Sequence, residues 1–290
     1  MEEIDLTVLE QLMKKSYCNN EYGKLKKVVL CEPKHMTIRD VINDTQKHFQ
    51  HEGIHVQVAM KQHKEFVKKL EEHGVEVILL PPAKKFPEQV FTRDIGFTLG
   101  HTIFVADMAN RVRQGEEEIL KDWLKGEEVS YFNIVSDYIE GGDVIIDGDT
   151  IYIGISDRTK EFSIEHLRSL LPQFNIITIP FKNKYLHLDC VFNIISPTEA
   201  LIYPEGMDKK DYKMFQSRFD LIEVNHEEQF RLGTNVFSIG EKKVFSLPTN
   251  RHVNEELRKR GYEVIEVAFD EIIKSGGSYR CCTMPLIREK

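Results

Sequence analysis

The chain has 290 residues, 41% of them hydrophobic, with 39 basic and 47 acidic side chains and a net charge of −8. That acidity argues against a general nucleic-acid binder, whose affinity rests on basic surface, and the apolar content suits a sizeable core rather than disorder. No run reaches the roughly 18 apolar residues of a membrane span, and the opening Met1-Glu2-Glu3-Ile4-Asp5 lacks the apolar region of a secretory signal. A cytoplasmic protein without membrane or nucleic-acid partners is expected.

In chain order, residues 1–22 read as a polar leader. Residues 27–31 (KVVLC) read as a buried strand ending before Pro33, and residues 43–53 as a polar loop or the approach to a helix. Apolar residues recur at helical spacing over 56–73, and Gly74 ends that helix. Residues 75–80 form a strand stopped by Pro81-Pro82. Strand-like runs at 90–99 and 102–106 flank Gly100-His101, and a charged helix follows at 114–125. Residues 139–146 and 150–155 surround Asp147-Gly148-Asp149, a hairpin signal. A helix at 163–171 and a strand at 176–179 complete that unit. Strands near 190–195 and 200–203, a helix at 209–219 and a strand at 221–224 repeat it. So do 236–239, 244–245, a helix at 253–260 and a strand at 264–265.

The unit of strand, hairpin partner, helix and strand thus recurs roughly every 55–60 residues. The hairpins favour a closed radial array of small mixed sheets over one doubly wound sheet. No linker rich in Pro, Gly or Ser interrupts the chain, so one catalytic domain over 1–290 is expected, with 23–290 forming the array.

Five cysteines, Cys18, Cys31, Cys190, Cys281 and Cys282, include no C-x-x-C pair, which suits a reducing compartment. Glycine-rich phosphate cradles are missing, so no nucleotide cofactor is expected. Cys31 and His35 have no second ligand pair, and no metal is expected either.

Chemistry concentrates elsewhere. Cys281 follows Gly276, Gly277 and Arg280. Glycines permit close backbone approach to a ligand, and an adjacent arginine is expected to favour the thiolate, the nucleophilic form. Taken singly, the other motifs have bland readings. Arg93-Asp94 reads as an ion pair, Glu140-Gly141-Gly142-Asp143 as a turn, Arg158 as a helix-start cation and His187 as a satisfied structural histidine. His187 and Asp189 are expected on one face of a strand, because strand side chains alternate.

Together, Phe91-Thr92-Arg93-Asp94, Glu140-Gly141-Gly142-Asp143-Val144, Gly154-Ile155-Ser156-Asp157-Arg158-Thr159, His187-Leu188-Asp189 and Gly276-Gly277-Ser278-Tyr279-Arg280-Cys281 resemble the guanidine-modifying enzymes. These are the arginine deiminases, dimethylarginine dimethylaminohydrolases, agmatine deiminases and amidinotransferases. The resemblance runs from about residue 25 to the C-terminus. It implies an α/β fold, a five-bladed pseudo-symmetric propeller of ββαβ-type units. It also implies Cys281 as nucleophile, His187 as general acid/base and Glu140 as its companion acid. Asp94 and Asp189 would hold a guanidinium, Arg158 would pair with a substrate carboxylate, and Arg280 would gate or bind substrate.

The residue types suit that chemistry by themselves. Two carboxylates make charge-assisted hydrogen bonds to a guanidinium and align its carbon. A thiolate attacks that carbon and a histidine protonates the departing amine. The expected partner is a small guanidino substrate with a carboxylate: arginine or an N-methylated arginine, giving citrulline and an amine or ammonia. Dihydrolase chemistry through to ornithine, amidinotransfer on the same scaffold and non-catalytic guanidine binding stay open, as does assembly into a homo-oligomer.

Overall fold

The computed structural model describes residues 15–134 and 138–289. Strand β1 (Leu25–Cys31) leads through helices α1 (Asp44–Phe49) and α2 (Val56–Glu72) to β2 (Glu76–Leu80). Next come β3 (Gly96–Leu99), β4 (Thr102–Val105), α3 (Glu116–Gly126) and β5 (Tyr131–Asn133). The third unit is β6 (Val144–Asp147), β7 (Thr150–Ile155), α4 (Glu161–Leu170) and β8 (Asn175–Pro180). The fourth is β9 (Phe192–Ile194), β10 (Glu199–Ile202), α5 (Lys209–Arg218) and β11 (Asp220–Glu223). After α6 (His226–Phe230) come β12 (Phe237–Gly240), β13 (Lys243–Ser246), α7 (Arg251–Lys259) and β14 (Glu263–Glu266), then β15 (Met284–Arg288).

These strands form five three-stranded sheets. In each, the middle strand runs antiparallel to one neighbour and parallel to the other, as β7 does with β6 and β8. The parallel pair needs a crossover, which the intervening helix supplies. The result is the expected five-bladed α/β propeller. The first blade is assembled from both halves of the chain, because β15 returns to pair with β1, Val28 opposite Pro285 and Val29 opposite Met284. The sequence reading placed no strand at 284–288. Pro285 is tolerated because β15 is an edge strand of its sheet.

Helix α2 shows how each helix is fixed. Its buried Ala59, Gln62, His63, Phe66 and Leu70 fall at the three- and four-residue spacing of one face. Gly74, at φ 76°, ends it in the left-handed conformation that glycine adopts at low cost. Phe66 meets Phe245, Phe269 and Tyr279 edge-on. Burying each such ring is worth roughly 1.5–3 kcal/mol. Tyr279 carries this packing into the segment before Cys281.

Three expectations are corrected. Residues 15–22 are part of the propeller rather than a leader: Tyr17 bridges to Ile287, Cys18 to Gly100 and Asn20 to Asp147, tying three blades together. Residues 1–14 lie outside the described residues. Residues 90–95 and 139–143 are not strands, and Leu188–Cys190 is a 3-10 turn, so His187 and Asp189 do not share a strand face. Two backbone hydrogen bonds of these turns run between blades: Arg93 N donates to Cys281 O at 3.0 Å, and Gly141 N to Asp94 O at 3.1 Å. Each of these irregular segments directly precedes the first strand of a blade.

Candidate active site

Four such segments deliver the site. Asp94 comes from the turn before β3, Glu140 to Asp143 from the 3-10 turn before β6, and His187 to Asp189 from the turn before β9. Cys281 comes from the turn before β15. All these side chains are buried, with His187, Glu140 and Asp189 fully excluded from solvent.

His187 Nε2 lies 2.8 Å from Glu140 Oε2, and its Nδ1 lies 3.5 Å from Asp94 Oδ1. Burial opposes a charge on the imidazole. Asp94, Asp143 and Glu140 outweigh that and raise its pKa to about 9. Burial likewise pushes Asp94 up, but the charges of His187 and Arg113 hold its carboxyl below the usual range. Asp143 does not enter the cluster by contact. It accepts from Ser156 Oγ at 2.6 Å and from Leu188 N at 2.8 Å, which locks the turn carrying His187 to the segment carrying Arg158. Gly142 is obligatory at this junction, since a Cβ there would lie 2.7 Å from the His187 ring and 2.8 Å from Asp94 Oδ1.

Cys281 Sγ lies 3.6 Å from Asp189 Oδ2 and 3.8 Å from Oδ1. Burial, with Asp189 and Asp94 adding to it, pushes the thiol pKa well above its ordinary value. The expectation of a thiolate favoured by Arg280 is therefore overturned in the unliganded protein. Arg280 turns inward: it donates to Asp189 Oδ2 at 2.7 Å, Glu21 Oε1 at 3.1 Å and Val144 O at 2.8 Å. It braces Asp189 and presents no free gate.

Arg158 Nη1 is buried 3.8 Å from Glu140 Oε1 and makes no hydrogen bond. Asp94 Oδ1 is likewise buried without a hydrogen-bond partner. Sequence reasoning missed Arg113, whose guanidinium joins Asp94 Oδ2 at 2.5 Å and Glu116 Oε2 at 2.8 Å. It also missed Glu21, buried among Arg280, Arg93 and Arg288. No local motif marks either residue. A cavity of about 230 Å³ has Cys190, Leu186, Tyr185, Asn43 and Gly276 in its wall, and none of Asp94, Glu140, His187, Asp189 or Cys281 lines it.

The donor atoms of Asp94, Glu140 and His187 lie within 4.8 Å of one another, a spacing a metal ion accepts. Arg113 on Asp94 and Arg158 beside Glu140 already supply positive charge there, so the set suits acid–base work better than a cation. No helix among the described residues is long and apolar enough to cross a membrane.

The sequence matches the family described as N,N dimethylarginine dimethylhydrolase, eukaryotic, over residues 32–288. The chain belongs to that family. It is also 55% identical to the uncharacterized protein YkgA of Bacillus subtilis, over 94% of this chain and 96% of that one. It is 25% identical to the N(G),N(G)-dimethylarginine dimethylaminohydrolase of Pseudomonas aeruginosa, over 78% of this chain and 87% of the relative. The N-terminal domain of ArgZ, a cyanobacterial arginine dihydrolase solved with its product, superposes with a TM-score of 0.84. That match covers 91% of this chain and 98% of the domain at 24% identity, and it shows the shared fold. The family member described here is a guanidine-modifying enzyme, a hydrolase acting on C–N bonds of amidines.

Proposed function

We propose that this family member hydrolyses the guanidino group of arginine or an N-methylated arginine through a covalent adduct on Cys281. The observation that carries the reading is the pair of buried carboxylates, Asp189 and Asp94, whose charges act on the buried Cys281 thiol. Asp189 touches the sulfur, and Asp94 Oδ1 is buried with no hydrogen bond, facing the His187 ring at 3.5 Å. Buried, unpaired carboxylate oxygens are costly, and a planar cation with N–H donors on two edges satisfies them.

The guanidinium lies between Asp94 and Asp189 with its carbon over Cys281. Its positive charge offsets the carboxylates that hold the thiol neutral, so the thiol loses its proton to solvent once substrate is in place. The thiolate adds to the carbon. His187, protonated at rest, gives its proton to the departing nitrogen, and the C–N bond breaks to leave a thiouronium adduct. The neutral imidazole then takes a proton from water, which attacks the same carbon. The C–S bond breaks, giving the ureido product and the free thiol. Glu140 orients the imidazole through Nε2. Arg158, with a free buried nitrogen, pairs with the substrate carboxylate. Arg280 acts through Asp189 as a positioning residue.

The test is a product assay on arginine, monomethylarginine, asymmetric dimethylarginine and agmatine that resolves citrulline, ornithine, ammonia and methylamines. Citrulline with ammonia or a methylamine, lost in Cys281→Ser, supports the reading. Ornithine would reassign the protein as a dihydrolase, and no turnover of any of the four would sink the substrate class.

A further inference from the structure

Four blades bring a residue to the site from the segment preceding their first strand. The fifth, whose first strand is β12, was assigned none. Its equivalent segment is Thr234-Asn235, directly before Val236 and β12, and both residues are fully buried.

Asn235 makes more contacts to the nucleophile segment than any packing role requires. Its Oδ1 accepts from Cys281 N at 3.1 Å and from Ser278 N at 3.3 Å. Its own carbonyl accepts from Arg280 N at 3.4 Å. Its Nδ2 donates to the Asp189 carbonyl at 3.4 Å, where Thr234 Oγ1 also donates at 3.2 Å. One side chain therefore holds the backbone of Cys281 with its acceptor end and the backbone of Asp189 with its donor end. A carboxamide does both at once from separate atoms, whereas a carboxylate lacks the donor. The segment itself is kept in place from below. Asn193 Nδ2 donates to the carbonyls of Thr234 and Val236, both at 2.8 Å.

We propose that Asn235 is the positioning residue that fixes the distance between the Cys281 sulfur and the Asp189 carboxylate. This rests on the reading of Cys281 as nucleophile and of Asp189 as guanidinium ligand. The carbon under attack is held by Asp189 and attacked by Cys281. Their relative placement, not substrate affinity, is what Asn235 controls. A misplacement of about 1 Å at a reacting centre costs on the order of 10²-fold in rate.

The experiment uses the full chain with Asn235→Ala and Asn235→Asp. Two readouts are taken: kcat and KM on whichever guanidine the parent turns over, and the pH dependence of Cys281 alkylation by iodoacetamide, located by peptide mass. For Asn235→Ala, kcat is expected to fall on the order of 10²-fold, with KM changed less than about threefold. Asn235→Asp keeps the shape and the acceptor but adds a carboxylate beside the thiol, so its alkylation profile moves to higher pH. It keeps the acceptor for Cys281 N and Ser278 N and is expected to retain more of kcat than Asn235→Ala, which separates positioning from general loosening. A folded Asn235→Ala with parental kcat overturns the proposal. So does an alkylation profile unmoved in Asn235→Asp, which decides the matter if the alanine variant does not fold. A parent that turns over none of the guanidines fails the functional reading instead, and alkylation still tests the tether.

Discussion

Arg280 donates to Asp189 Oδ2 at 2.7 Å, and the thiol of Cys281, its immediate neighbour in sequence, lies 3.6 Å from the same oxygen. The two residues adjacent in the chain therefore meet on one carboxylate, Arg280 as its brace and Cys281 as its contact. The arginine that a sequence reading sets beside the sulfur does not lower its pKa.

A neutral resting thiol has a direct consequence. Iodoacetamide is expected to alkylate Cys281 slowly at neutral pH, with a rate that climbs into the alkaline range. Cys281→Ser is expected to lose at least about 10³-fold in kcat while still binding substrate, measured by calorimetry. Fast alkylation at pH 7 in the ligand-free protein would contradict the burial argument.

The His187 pKa of about 9 sets both activity and stability. The general acid stays protonated through neutral pH, so kcat/KM is expected to fall as pH rises through about 9. The folded value lies above the ordinary 6.5. The stabilisation from the charged ring is therefore complete below 6.5 and lost as pH rises to 9. Urea midpoints between pH 6 and 10, compared with His187→Ala, check the sign: the difference between the two proteins shrinks toward the alkaline end.

Glu21 offsets a group of buried arginines. Glu21→Gln leaves Arg280, Arg93 and Arg288 with one fewer negative partner. Removing one member of a buried ionic group costs on the order of 3–5 kcal/mol, read from denaturant unfolding. A loss under about 0.5 kcal/mol, the scale of surface changes, would show that residues 15–22 are dispensable after all.

Arg158→Ala is expected to raise KM for arginine on the order of 10- to 100-fold, the worth of one charge-assisted hydrogen bond. Agmatine, which lacks the carboxylate, should change far less. Equal losses on both would remove Arg158 from the carboxylate-binding role and leave it as the partner of Glu140.

Gly142→Ala places a methyl against both His187 and Asp94. Activity is expected to drop on the order of 10²-fold with the fold intact by circular dichroism. Parental activity would mean that the turn before β6 yields more easily than its close packing implies.

The repeating unit was legible in the chain, and so were the candidate site residues. Helical and strand periodicities are local, so α2, β7 and the Asp147-Gly148-Asp149 hairpin were legible from neighbours in the chain. The candidates Cys281, His187, Glu140, Asp94, Asp189 and Arg158 came from five short motifs whose order resembles one enzyme family, since each motif alone has a bland reading. Tertiary structure alone decided the rest. The first blade closes through β15, whose Pro285 pairs with Val28, 257 residues earlier, and no local pattern encodes that pairing. Arg113, Glu21 and Asn235 have no distinctive neighbours; their roles arise when five blades converge. The state of the thiol also depends on burial and on carboxylates from other blades. Burial and charge act through space, and sequence adjacency, such as that of Arg280 and Cys281, does not report them.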